Sequence, residues 1–279
     1  MSAVADQDSL ESFFRAHHSV LVITGAGCST SSGIADYRDA NGDWKHASPI
    51  MAQDFMRSAT VRQRYWARSM RGWPAFARAA VNPAHEALAS LERMGLIHGV
   101  ITQNVDGLHQ RAGQRKLIEL HGNLQWVCCT GCGARIGRAG LQDWLSRVNP
   151  QVNALPAAPA PDGDAQLARE LDGVRVPECA DCGAIVKPDV VFYGESVPPE
   201  RVREAYRWVD EADALMVVGS SLMVYSSYRF VRRARERGLP LVAINQGKTR
   251  ADDWWHFKLA EDCTSALQRL VGELSGAAR

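Results

Sequence analysis

Neither sign of charge is in overall excess. Lys and Arg number 32 against 31 Asp and Glu, leaving a net +1, and only five of the cations are lysines. The overall balance provides no broad basic footprint for nucleic acid and no basic segment for an anionic membrane surface, although it is compatible with a local basic patch. Long apolar runs are missing too: no segment approaches the ~18 consecutive apolar residues of a membrane span. Residues Met1 to Leu10 carry Asp6 and Asp8 and no apolar stretch, so neither a secretory leader nor an arginine-rich transit peptide is expected there. No internal repeat is evident. What remains is ordinary for a soluble globular protein: 279 residues at 46% hydrophobic and 23% charged, enough for one large domain or one large and one small.

Cysteine is present in a telling arrangement. Of seven cysteines, four form Cys129-Thr-Gly-Cys132 and Cys179-Ala-Asp-Cys182, with 46 residues between the inner members. Each spacing aims two thiolates at one ion, and two such pairs complete the closed tetrahedral shell of a structural zinc site. Gly133 and Gly183 follow the second cysteine of each pair and permit the tight turn the chain then needs. Redox dithiols are the competing reading. A closed shell leaves no position for water, so chemistry must lie elsewhere. Thiols that hold zinc also favour a reducing compartment, with the cytoplasm as the expectation. Cys128 offers an alternative ligand to Cys129, but only Cys129 repeats the two-residue spacing of the second pair.

Four short apolar runs read as buried parallel strands: Ser19 to Thr24, Ile97 to Thr102, Ala214 to Val218 and Pro240 to Ile244. Helical stretches at Ser9 to Ala16, Pro83 to Met94, Pro199 to Glu211 and Tyr225 to Arg237 supply the crossovers parallel strands require. Each strand ends in polar or glycine residues, and in an open α/β sheet ligands bind where such ends converge. The first is followed by Gly25-Ala-Gly27 and a Ser/Thr-rich segment that reads as a helix start, a phosphate-binding turn. Thr30 stands where a dinucleotide fingerprint has its third glycine, making this a Rossmann variant. The Pro-rich passage Asn149 to Gly163 is expected to be a flexible loop within the cysteine region.

Histidine titrates nearest neutrality, so a histidine at such a crevice is a candidate general base. His121 sits in Leu120-His-Gly122, eight residues before Cys129. The other seven, including His109 beside Asn104-Val-Asp106, are expected to serve packing or capping.

These segments occur in sirtuin order: Gly25-Ala-Gly27 with Ser29, Gly33 and Asp36-Tyr-Arg38; Thr102-Gln-Asn-Val-Asp106; Leu120-His-Gly122; both cysteine pairs; Lys187 to Glu195; Gly219-Ser-Ser221; Asn245. The chain resembles a sirtuin, an NAD-dependent protein-lysine deacylase, over roughly Ser19 to Cys263. Arg64-Tyr-Trp-Ala-Arg68, Gly72-Trp-Pro74 and Leu222-Met-Val-Tyr-Ser226 resemble the branch that includes the mitochondrial lipoamidase and ADP-ribosyltransferase type. Cys28 and Tyr193 depart from the common pattern without disturbing it.

The resemblance implies an α/β fold, a Rossmann-like parallel sheet with helices on both faces and a small zinc-binding domain inserted in it. The NAD-binding domain would comprise 1-39, 82-125 and 186-279, and the small domain 40-81 and 126-185. It implies that Gly25, Ala26, Gly27 and Ser29 cradle the pyrophosphate, and that Asp36, Tyr37 and Arg38 close over the nicotinamide ribose. Gln103, Asn104 and Asp106 would line the nicotinamide pocket, while Gly219, Ser220, Ser221, Asn245, Gln246, Gly247 and Cys263 contact the adenosine half. His121 would be the base, and Cys129, Cys132, Cys179 and Cys182 the ligands of one structural zinc.

In the mechanism the resemblance implies, NAD is a consumed co-substrate. The acyl-lysine carbonyl oxygen attacks C1′ of the ribose, nicotinamide leaves, and the base deprotonates a ribose hydroxyl that takes the acyl group. The acyl-lysine protein or peptide would enter as an extended strand between Val191 to Glu195 and Leu222 to Tyr225, with no membrane or nucleic-acid partner expected. Mono-ADP-ribosyl transfer is the alternative within the family, and a nicotinamide-dependent dehydrogenase or a zinc-ribbon binding module the alternatives outside it. Tyr65 and Arg68 have the Tyr-x-x-Arg spacing found in sirtuins that remove acidic acyl groups. The expectation is a deacylase weak on acetyl and preferring longer or acidic groups, against a plain amphipathic helix surface.

Overall fold

The computed structural model describes residues 9–37, 39, 41, 43, 45, 50–161, 163–168 and 173–276. Its strands run in chain order as β1 Val20–Thr24, β2 Ile97–Thr102, β3 Leu117–Glu119, β4 Gly122–Cys129, β5 Arg135–Gly137, β6 Ala157–Ala160, β7 Asp164–Leu167, β8 Val186–Val190, β9 Ala214–Val218, β10 Leu241–Ile244 and β11 Phe257–Leu259. Six of them build one sheet in the order β11-β10-β9-β1-β2-β3, every neighbour parallel. Chain order reverses between β1 and β9, so the crevice of this doubly wound sheet opens above those two strands.

Strand β1 shows why the sheet is covered on both faces. Val20 and Val22 enter a core with Phe13, Leu88 and Leu267, contributed by the helices Leu10–Ala16, Pro83–Arg93 and Cys263–Gly276. The alternate residues Leu21 and Ile23 meet Val209, Phe230 and Val231 from the helices Pro199–Glu211 and Tyr225–Glu236. With a side-chain period of two, a strand apolar at every position must be buried twice. Each such side chain contributes roughly 1.5–3 kcal/mol. The helix starts are equally local: Ser9 Oγ accepts from the Ser12 amide, and Asn82 Oδ1 accepts from Ala84 and His85 ahead of Pro83 at the first helical position.

The second unit is the sheet β5-β4-β8, antiparallel throughout. Trp66 and Met70 of the helix Ala59–Arg78 pack into its core with Val127, Leu145 and Val186.

Two expectations differ from the structure. The segment after Gly25 is not a helix start but two single 3₁₀ turns, Ala26–Cys28 and Thr30–Ser32, ended by Gly33 at φ 81°. The Asn82 side chain donates to the Cys28 carbonyl at 2.9 Å and to Ser32 Oγ at 3.0 Å, which fixes this irregular path. The passage Asn149 to Gly163 holds a short helix, Pro150–Asn153, and strand β6, paired antiparallel with β7. That hairpin lies against the helix Ala59–Arg78 so closely that a Cβ on Gly72 would sit 2.3 Å from the Asp164 carbonyl oxygen.

Candidate active site

The carboxyl ends of β1, β2, β9 and β10 open onto one cleft of about 1200 Å³. Gly25 and Gly27 meet Gly219 across its floor. A Cβ on Gly27 would lie 2.9 Å from Gly219 Cα, and one on Gly219 would lie 2.4 Å from the Cys28 nitrogen. Gly219 also has φ +60°. These glycines are therefore required by the contact of two chain turns. Ala26, Asp36, Tyr37, Gln103 and Asn104 line the cleft, as do Ser220, Ser221, Asn245, Gln246, Gly247 and Cys263. Lys45 Nζ reaches Asp36 Oδ1 at 2.7 Å. Burial pushes the Cys263 thiol up to about 12, which keeps it neutral.

His121 enters the same cleft from the end of the short run β3. Its Nδ1 lies 3.0 Å from the Gln103 carbonyl and its Nε2 2.7 Å from Ser226 Oγ. Since a carbonyl only accepts, Nδ1 carries the proton and the Nε2 lone pair takes the Ser226 hydroxyl. Burial lowers the imidazole to about 4, outweighing the Gln103 carbonyl, which favours the charged ring. Gln103 is itself pinned, donating to Ser220 Oγ at 2.7 Å and accepting from Ser227 Oγ at 2.9 Å.

Ser29 and Asp106 lie behind the cleft and not in it, 1% and 5% exposed. Ser29 Oγ donates to Asp106 Oδ2 at 2.7 Å and accepts from Asn104 Nδ2 at 3.0 Å. Asp106 Oδ1 takes the Leu108 amide at 2.8 Å, fixing the turn through Gly107 that leads into the short helix Leu108–Arg111. Burial raises the Asp106 carboxyl. Both residues thus reach the cleft only through Asn104, because the 3₁₀ path turns Ser29 inward. Arg38 lies outside the described residues. His109 is buried with Nε2 2.9 Å from Thr24 Oγ1, the packing position expected of it.

On the side facing the second unit, the segment after β8 is braced by Glu195, which accepts from the Phe192 amide at 2.7 Å and from Lys187 Nζ at 2.8 Å. Opposite it, Leu222 is buried at φ 56°, an uncommon conformation for a branched side chain and a local strain of the kind found at ligand clamps. Tyr65 packs edge-on against Phe55, Trp66 and Phe192. Arg68, in the same cleft, is paired with Asp164 of β7. Sequence reasoning missed Ser227 and Asp164, since nothing in their local pattern distinguishes them from surface polar residues, and took Ser226 only as the end of the segment Leu222 to Ser226, with no role beside His121.

The four thiols of Cys129, Cys132, Cys179 and Cys182 lie within 4.8 Å of one another. Two cross-pair separations are 3.4 Å and 3.7 Å, against the ~3.8 Å edge of a tetrahedron of ~2.3 Å Zn–S bonds. The pairs are built alike: the Cys129 amide donates to Ala134 and the Cys179 amide to Ala184, while Gly133 and Gly183 take φ 75° and 71°. Amides of Cys132 and Gly131 push the Cys129 thiol down, toward the thiolate a metal needs, while the neighbouring thiols push Cys132 up. The residues fit zinc.

The Sir2 family matches residues 25–226. "NAD-dependent protein deacetylase 2" of Bradyrhizobium diazoefficiens is 51% identical over 94% of this chain and 97% of its own length. The Bos taurus "NAD-dependent protein lipoamidase sirtuin-4, mitochondrial" is 48% identical over 92% of this chain and 83% of its own. A solved structure of Sir2 with p53 peptide and NAD+ superposes with a TM-score of 0.77 at 30% identity, covering 98% of this chain and 100% of that one. The chain belongs to the Sir2 family.

Proposed function

We propose that this protein is an NAD-dependent protein-lysine deacylase in which His121 is the general base. The observation that carries the reading is the position of His121: proton fixed on Nδ1 by a main-chain carbonyl, Nε2 lone pair directed at a hydroxyl, in the cleft that the strand ends share with the braced segment after β8. When bound, NAD supplies the electrophilic ribose carbon and the hydroxyl that receives the acyl group. A single cleft over four strand ends, with Gly25 to Gly27 at its floor and Asn245 to Gly247 and Cys263 at one end, fits a dinucleotide.

The residues then divide the work. Gly25, Ala26 and Gly27 form the floor on which the pyrophosphate rests, the bare glycines letting it approach the backbone while the Gly25 and Gly27 amides stay bonded to the Val218 and Gly219 carbonyls, with Ser29 supporting them from beneath. Asp36, Tyr37 and Arg38 cover the ribose. Gln103 and Asn104 bound the nicotinamide pocket, with Asp106 fixing their loop, while Gly219, Ser220, Ser221, Asn245, Gln246, Gly247 and Cys263 take the adenosine half. His121 Nε2 exchanges the Ser226 hydroxyl for a ribose hydroxyl and removes its proton. The acyl-lysine peptide lies as a strand between Val191 to Glu195 and Leu222 to Tyr225, its main chain supplying the affinity. Cys129, Cys132, Cys179 and Cys182 hold one zinc that stabilises the small unit and takes no part in chemistry. No helix among the described residues is long and apolar enough to cross a membrane, and the seven free thiols suit a reducing compartment such as the cytoplasm.

The test is an acyl-lysine peptide incubated with NAD, following nicotinamide release and peptide mass together, in wild type and His121→Ala. Loss of the acyl mass coupled one-to-one to nicotinamide supports the proposal. Nicotinamide release with ADP-ribose added to protein, and no deacylation, would replace it with mono-ADP-ribosyl transfer.

A further inference from the structure

At the mouth of the cleft, one residue from the His121 partner Ser226, Tyr225 stands 44% exposed. Three guanidiniums converge on its ring, those of Arg229, Arg232 and Arg250, with Cζ to centroid distances of 5.2, 5.7 and 5.8 Å. Arg250 also covers Tyr228 at 4.4 Å, and its amide is tied to the Ser221 carbonyl at 2.8 Å. Cation–π contact holds each arginine in place.

The charge around this ring is not balanced. Three other arginines of the helix Tyr225–Glu236 and its end have acidic partners, Arg233 and Arg237 sharing Asp210 and Arg232 approaching Glu236 at 3.4 Å, while Arg235 stacks on Trp254. Among the described residues, Arg229 and Arg250 make no ion pair. Arg229 Nε is buried without a hydrogen-bond partner. Like charges gathered on one ring repel, and an arriving carboxylate relieves that repulsion while pairing with guanidiniums already positioned.

We propose that the Tyr225, Arg229 and Arg250 face receives acidic side chains flanking the acyl-lysine, so that the enzyme selects acyl-lysines set in acidic sequence. The proposal rests on the deacylase reading and names the substrate class of that same cleft. Tyr225 closes the segment Leu222 to Tyr225 along which the peptide runs, so a residue a few positions from the acyl-lysine, at ~3.3 Å per residue, is within reach.

The experiment is steady-state kinetics on one acyl-lysine peptide in which each of the four positions on either side is set in turn to Glu, Gln or Lys. At least one position should give Glu about 3- to 10-fold higher kcat/KM than Lys at low ionic strength, carried by KM, and this should shrink in ~0.3 M salt. Arg229→Gln and Arg250→Gln, each checked for an unchanged melting temperature, should each reduce the preference, and Arg250→Glu should invert it. Equal KM for Glu and Lys at every position would overturn the inference while leaving deacylation intact. So would a preference that survives both substitutions, or a face that instead binds oligo(dT) with no flanking preference. Absence of NAD-dependent turnover on every peptide would sink the deacylase reading itself.

Discussion

Arg68 donates from Nε to Asp164 Oδ1 at 3.0 Å and from Nη2 to the second oxygen of the same carboxylate. The Arg68 Nε also reaches the Ala165 carbonyl at 3.2 Å, so the guanidinium is committed to strand β7. The pair is half-buried, with 31% and 27% of the side chains exposed. An arginine free to receive an acidic acyl group was the basis for expecting such substrates. The structure supplies the carboxylate from within, and a second one entering here would face Asp164.

We therefore expect neutral acyl chains to be turned over faster than succinyl or glutaryl groups of similar length. Asp164→Asn should raise kcat/KM for succinyl-lysine about 10-fold relative to a neutral acyl-lysine, because it removes the like charge and frees Arg68. A succinyl-to-neutral ratio unmoved by Asp164→Asn would show that Arg68 lies away from the acyl group.

His121→Ala should cut acyl transfer by ~10²-fold or more with NAD binding retained, as loss of a general base does. Isothermal titration with NAD beside the activity assay separates the two effects. An enzyme with near-normal turnover would have another base.

Acid should destabilise the fold before it reaches the carboxylates. Burial lowers His85 to about 4, His109 to about 3 and His121 to about 4. Their unfolded value is ~6.5. Below it the unfolded chain takes up protons the folded one refuses, so stability present above pH ~6.5 is lost as pH falls toward 4, by on the order of a few kcal/mol per group. Urea midpoints from pH 7 to 4 should decline accordingly, and a flat profile would contradict the burial of these rings.

Gly219→Ala would place a Cβ 2.4 Å from the Cys28 nitrogen at φ +60°. The clash is with backbone, which has no rotamer to yield. A loss of about 2 kcal/mol or more in urea unfolding is expected, with NAD affinity falling alongside. Wild-type stability in this variant would mean that the two turns do not touch.

Zinc removal should act through folding. A strong chelator, or Cys179→Ala, should melt the unit around β4, β5 and β8 and abolish activity indirectly, and the intact protein should hold one zinc per chain. Fully active protein free of zinc would refute the assignment.

Four strands of the sheet, β1, β2, β9 and β10, were legible because they are short and mostly apolar, and the helices because they are capped locally, by Ser9 and by Asn82 with Pro83, whereas the three-residue edge strands β3 and β11, carrying Glu119 and Lys258, were not. The cysteine pairs and the glycine turns were legible for a similar reason: metal geometry and close backbone contact demand particular residues at fixed short spacings. Tertiary structure alone decided the rest. Pro150 to Leu167 has the composition of a loop, yet folds as a hairpin because the helix Ala59–Arg78 offers Gly72 as a site for its backbone. Ser29 and Asp106 went behind the cleft because the Asn82 side chain, 54 residues on from Cys28, bends the turn between them. The pairing of Arg68 with Asp164, 96 residues apart, and of His121 with Ser226, 105 apart, carries no local signature, since a contact across such separations is set by packing and not by the pattern of either segment.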